Sequence, residues 1–294
     1  MSRDSKLTLN SALREYRKKV DQSFELYLFS FFLFLEVATY SKEDEKRRKA
    51  KLLPTEEDKK FTAKLYRNAL VQSLVQLSNF QSLVEKYQFQ QIIDEDLIRQ
   101  VYTEFAKTED YINYSNTEEL KENDHRQILL KLFKSCMNNE NFLEKIEDIF
   151  PQWIDDKSLI IGAVKKSIKA MPASEDFLTP YKPNPEATVD FGETLLEKVN
   201  TDNQILLDII EPNLKNWDSE RVAIIDMILL KMALVEFLSF PSIPTKVTLN
   251  EFVEISKLYS TDKSKDFING ILDRLLKKLT KEGKITKKGR GLMD

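Results

Sequence analysis

Cysteine occurs once, at Cys136, so the chain can hold neither an internal disulfide nor a multi-cysteine metal site, and a reducing, cytoplasmic compartment fits it. Glycine is scarce, at 6 of 294 residues, and proline contributes 9. A β-sandwich or a doubly wound α/β protein of this length needs many more glycine-bearing turns. An all-α fold is therefore favoured before any periodicity is read. Histidine also occurs once, at His125, and no motif brings a serine or cysteine nucleophile to it, so a surface or capping role is expected. Gly-x-Gly-x-x-Gly, P-loop, His-Glu-x-x-His and Cys/His patterns are all missing. Adjacent acids such as Asp155-Asp156 sit about 100° apart on a helix and do not face each other. The expectation is a protein that is not an enzyme and carries no metal or cofactor.

No apolar run follows Met1-Ser2-Arg3-Asp4, so no signal peptide is expected there. The greasiest stretch, residues 26–38, holds Phe29, Phe31, Phe32 and Phe34 but also Glu36. It is about half a membrane span, which reads as a buried helix. The net charge of −3 argues against wholesale wrapping of nucleic acid and leaves room for a local basic patch.

Helical patterns cover most of the chain. Residues 11–40 form a helix with a wide apolar face, which the charge run 41–51 could continue. Leu53-Pro54-Thr55-Glu56 marks a break and a new start. Further helices are expected at 60–90, 94–108 and 124–137, with 109–123 as a loop. Trp153 and Cys136 read as core residues, as does Trp217. Four of the nine prolines fall in 172–185, an irregular connection that sets a domain boundary. The expected organisation is two helical bundles: a divergent helical region 1–185, a bundle 186–280, and a basic flexible tail 281–294.

The C-terminal half is the more regular. From Val222 to Leu238 only Asp226, Lys231 and Glu236 interrupt an apolar run, the pattern of a bundle's central rod, with Asp218 as its N-cap. Ile225 is placed in that core. Thr248 and Glu251 are spaced as a capping box. Phe267, Ile268, Ile271, Leu272, Leu275, Leu276 and Leu279 recur at helical spacing. Gly270 falls on the opposite, polar face, where a glycine costs about 1 kcal/mol relative to alanine and suggests close approach of a backbone or ligand.

Several segments in order then resemble the NusB family: Asn216-Trp217-Asp218-Ser219-Glu220-Arg221-Val222, Ile225-Asp226, Pro244-Thr245-Lys246-Val247, Asn250-Glu251-Phe252-Val253-Glu254 and Phe267-Ile268-Asn269-Gly270-Ile271-Leu272-Asp273. The resemblance covers about 186–280. Residues 1–185 match loosely, with a length like that of the enlarged family form of Bacteroidetes-type bacteria. The resemblance implies an all-helical transcription antitermination factor. Its implied partners are boxA RNA, the small-subunit ribosomal protein NusE and, indirectly, the RNA polymerase elongation complex during ribosomal RNA synthesis. By motif position, Lys263, Lys265, Phe267 and Asn269 are the RNA-contact candidates. Arg221, Asp226, Lys231 and Gly270 are the partner-contact candidates.

Two departures from the family pattern stand out. The arginine-rich opening helix is not found. Either the chain starts downstream of it, the favoured reading, or Arg14, Arg17, Lys18 and Lys19 take its place. Before the last helix, Ser260 stands where the family has glycine and Lys263 where it has an acid. The basic runs 46–51 and 284–290 could touch phosphates, but no aromatic residues are interleaved for stacking, so solvated runs are favoured. Two other functions remain open: a module that docks NusE without RNA, and the accessory domain of an RNA methyltransferase. The lack of a Rossmann segment argues against the latter.

Overall fold

The computed structural model describes residues 8–214 and 222–292. Among these residues every regular element is a helix and no strand occurs. The chain divides into two compact units, Lys19–Pro183 and Met1–Lys18 together with Asn184–Asp294.

The Lys19–Pro183 unit is built around the greater part of the helix Leu9–Thr39. Leu26, Leu28, Phe29, Phe31, Leu33, Phe34, Val37 and Ala38 are all fully buried, so this stretch is apolar because it is enclosed on every side. The segment Leu9–Lys49 that holds it is long and apolar enough to cross a membrane, yet the shorter helices of the unit bury this stretch. Phe31 meets Phe80 and Phe34 meets Phe133 edge-on, the geometry preferred by ring quadrupoles. Each such ring contributes roughly 1.5–3 kcal/mol through burial. Trp153 and Cys136 are buried as expected.

The charge run does form a helix, Ser41–Lys49, and its basic residues are neutralised locally. Lys46 pairs with Glu43, Arg47 and Arg48 with Asp44, Lys49 with Glu45, and Lys51 with Asp58. Thr55 opens Glu56–Lys60 with a full capping box, accepting from the Asp58 amide while Asp58 accepts from its own. The expected 60–90 helix is instead three pieces, Lys64–Arg67, Ala69–Val75 and Ser78–Lys86. Asn68 interrupts it by turning its side chain back to cap the Val71 amide. The expected loop at 109–123 holds a helix, Glu109–Asn116, capped by Thr108 and anchored by buried Tyr111 and Tyr114. A threonine before two acids is a helix start that the polar composition hid. The connection after Trp153–Ala170 is irregular, as expected, and buries Phe177 and Leu178.

In the second unit a π-helix, Glu186–Glu193, leads into Thr194–Thr201 and Asn203–Ile210. The central rod, Ile224–Ser239, packs on these last two and on Thr245–Tyr259 and Ser264–Lys281. Leu230, Ala233 and Leu234 at its middle are fully buried. The rod opens at Ile224 with Ala223 in the N-cap position. Asp218, expected there, and Trp217 lie outside the described residues.

Three expectations fail here. Ile225 is 40% exposed, because it sits in the rod's first turn before neighbours close around it. Thr248 and Glu251 form no capping box. The helix starts three residues earlier, at Thr245 behind Pro244, and buried Thr248 donates back to the Pro244 carbonyl. The tail is held rather than loose. Lys287 donates to the Phe240 and Glu236 carbonyls, and the Lys288 amide to that of Pro241. Gly291 lies so close to the Pro241 carbonyl that a Cβ would stand 2.0 Å from it.

Candidate functional site

The most ordered polar constellation in the motif region is built on Asp226. Its carboxylate is buried in the rod and accepts from the hydroxyls of Ser260, at 2.5 Å, and Ser264, at 2.8 Å. Ser264 is linked further to Ser260 and Thr261. A carboxylate otherwise costly to bury is thus satisfied, and the loop that launches the last helix is pinned to the rod. Ser260, the departure from the family's glycine, supplies one of the two hydroxyls. Asp226 therefore holds the loop from beneath and presents nothing outward, contrary to its expected partner-facing role.

Above that pinned loop the candidate residues sit at the surface. Lys263 and Lys265 are exposed and form no ion pair among the described residues. Lys265 and Asn269 are one turn apart on Ser264–Lys281, and Gly270 lies beside them. Phe267 is half-buried against the core, which fixes the helix's rotation. Gly270 has open space where a Cβ would stand, so no neighbour within the unit requires a glycine. The patch is not strongly basic, since Asp262 and Asp266 are exposed beside the two lysines.

The remaining candidates fall elsewhere. Lys231 is half-buried and donates to the Asn203 side chain at 2.7 Å, and burial lowers its pKa. Arg221 lies outside the described residues. Arg14, Lys18 and Lys19 are exposed on the first helix, but Arg17 is committed. Its guanidinium grips Glu193 with both arms, at 2.8 and 2.5 Å, and this hydrogen bond holds the Glu193 carboxyl below its ordinary pKa. Beside this pair the Tyr16 hydroxyl donates to the Thr188 carbonyl and rests where a Cβ on Gly192 would stand, so Gly192 is a packing glycine.

Sequence reasoning missed the Asp226–Ser260–Ser264 clamp and the Arg17–Glu193 pair. A lone acid in an apolar helix was the available signal for the first. The second joins residues 176 apart, beyond any local pattern. His125 shares a hydrogen bond with the Tyr114 hydroxyl at 2.8 Å, and burial lowers its pKa against the pull of Asp124 and Glu122. No cluster of three or more His, Cys, Asp or Glu suited to a metal occurs among the described residues.

Comparison with known proteins places this site in a matched region. The model of the NusB family matches residues 163–277. A protein of Salinibacter ruber named transcription antitermination protein NusB is 41% identical over 107 residues, 36% of this chain and 67% of its own length. Namesakes from Chloroherpeton thalassium and Natranaerobius thermophilus are 40% and 39% identical, over 37% and 30% of this chain. The alignments span 53% and 64% of those two proteins. No solved structure matches.

Proposed function

Because the chain belongs to the NusB family, we propose that it acts in transcription antitermination, holding boxA-type RNA jointly with NusE so that both reach the RNA polymerase elongation complex. The observation that carries this reading is the exposed Lys263, Lys265, Asn269 and Gly270 surface, raised on a loop that Asp226 pins in one conformation. Such a surface gives positioned donors for phosphates and bases and a glycine that lets a partner approach closely. It offers no nucleophile or acid–base pair, so its work is binding. The aspartates beside the lysines weaken phosphate attraction, so the chain alone binds RNA weakly and NusE supplies further contacts.

The test is binding of a boxA-containing RNA, with and without NusE, across a salt series. NusE should tighten binding and steepen the salt dependence by about 0.7 per added phosphate contact on single-stranded RNA. Replacing Lys263 and Lys265 together by alanine should lower the slope by up to about 1.4. Tight binding by the chain alone, unchanged in that double variant, would place the RNA elsewhere. A second reading, a module that docks NusE without RNA, is favoured by one observation: Arg17, a substitute for the missing arginines, is held by Glu193. Under it, NusE binds with or without RNA and the double variant changes nothing.

A further inference from the structure

A second surface lies in the Lys19–Pro183 unit. The first helix, the helix Trp153–Ala170 and the proline-rich connection after it enclose a groove of about 550 Å³. Phe24, Tyr27 and Tyr181 form one wall. Gly162 and Ala163 form the floor of the other, with Leu159 at the rim and 63% exposed. A helix-interior glycine costs about 1 kcal/mol relative to alanine. A Cβ on Gly162 would meet nothing, so internal packing does not account for it, and its effect is to keep the groove open.

Two of the groove's polar groups are already used. The Tyr27 hydroxyl is bonded to Ser167 and the Ser23 hydroxyl to Asp156. The rings are stacked on one another, Phe24 on Tyr27 at 6.1 Å and Tyr27 on Tyr181 at 4.9 Å. Tyr27 is thereby closed to a nucleobase, and the apolar walls suit an aliphatic or aromatic side chain. Of the charges around the groove, the Asp156 carboxylate is engaged by Ser23, whereas the lysines are not engaged. Lys166 lines it, Lys169 follows one turn on, and Lys182 stands between lining residues Tyr181 and Pro183, and none of the three forms an ion pair among the described residues. Two copies meeting at this face would set lysine against lysine.

We propose that this groove docks an acidic amphipathic helix of a protein partner, whose bulky apolar side chain enters between Gly162 and the tyrosines while its carboxylates meet Lys166, Lys169 and Lys182. Helix-in-groove recognition of this kind takes affinity from apolar anchors and selectivity from charge.

The test uses the full chain and a labelled helical peptide of about 18 residues, roughly five turns, with leucines at i, i+3, i+4 and i+7 and glutamates on its flanks. Fluorescence anisotropy should show saturable binding, at least about tenfold weaker when the glutamates are replaced by lysines. Gly162→Leu fills the groove and should abolish binding while leaving thermal unfolding at or above the parent temperature, because the added side chain enters open space. The pair Lys166→Glu and Lys169→Glu should reverse the preference between the two peptides. Equal binding of both peptides, or undiminished binding by folded Gly162→Leu, overturns the proposal. So does a single-stranded RNA that competes for the groove and is lost with Gly162→Leu, or self-association of the chain that the same variant removes.

Discussion

The unit spanning Lys19–Pro183 closes its core with rings, whereas the unit carrying the family match closes its core with aliphatic chains. The first buries Phe29, Phe31, Phe34, Phe80, Phe89, Phe105, Phe133, Phe142 and Trp153 among many short helices. The second has only the rings of Phe237 and Phe252 among its buried described core residues, and leucine and isoleucine with Ala233 and Val235 fill the rest. Large flat side chains fill the irregular spaces that short helices leave at odd angles. Leucine and isoleucine at helical spacing suit a few long helices packed on a central rod. Core packing and functional presentation therefore separate. The aliphatic unit raises a polar patch over a buried carboxylate clamp, while the ring-filled unit leaves an open apolar groove.

The largest effect expected from breaking this contrast is in the rod. Leu234→Asp buries an unpaired charge and should cost more than about 3 kcal/mol in denaturant unfolding. Ile225→Asp, nine residues earlier by number but in the exposed first turn, should cost less than about 1 kcal/mol. Similar losses from both would mean that the rod's burial is not graded as described.

Next comes the clamp. Asp226→Ala strands the hydroxyls of Ser260 and Ser264 and should cost about 1–3 kcal/mol. Amide exchange should accelerate first in the 260–264 loop, and uniform acceleration across the bundle would refute a local pinning role. Gly270→Ala has the opposite sign. With open space at its Cβ, it should stabilise the unit by up to about 1 kcal/mol. If NusE or RNA binding weakens in that stabilised variant, the glycine is kept for the partner.

The smallest effect is confined to acid and sharpens the comparison from the ring-filled side. Lys51, and then the Thr55 amide, hydrogen-bond to Asp58 and lower its pKa from an ordinary 3.8 to about 2. A carboxyl depressed in the folded state contributes stability that is present above its unfolded pKa and lost as pH falls through the folded one. The gap between parent and Asp58→Asn should therefore narrow as pH falls from about 4 to about 2, as followed by circular dichroism in urea. A gap independent of pH in that window would remove the ion pair from the account.

The two units also differ in how much of each the sequence disclosed. The rod and the last helix were legible because Leu229, Leu230, Leu234, Ile268, Leu272 and Leu275 repeat at helical spacing and end up buried. The Gly270 surface was legible because the same spacing assigns it to the opposite face. The break at Asn68 and the helix Glu109–Asn116 were not, because side-chain capping and two buried tyrosines decide them against local composition. The clamp stayed hidden because Ser260 and Ser264 meet Asp226 across 34 and 38 residues of chain. Ile225 was misplaced because periodicity cannot tell a helix's buried middle from its exposed first turn.

The docked tail has a consequence for how the protein is made. The carbonyls of Glu236 and Phe240, which accept from the Phe240 and Ile243 amides, receive a second donor from Lys287, 51 and 47 residues later in the chain. At a synthesis rate of about 5–20 residues per second, the ribosome releases that lysine roughly 2–10 seconds after the helix it serves. During that interval those two carbonyls have only their local amide donors, and water or a chaperone at the ribosome's exit can take the place the lysine later fills. The lysine contact at the rod's final turn forms only when translation has passed the last long helix.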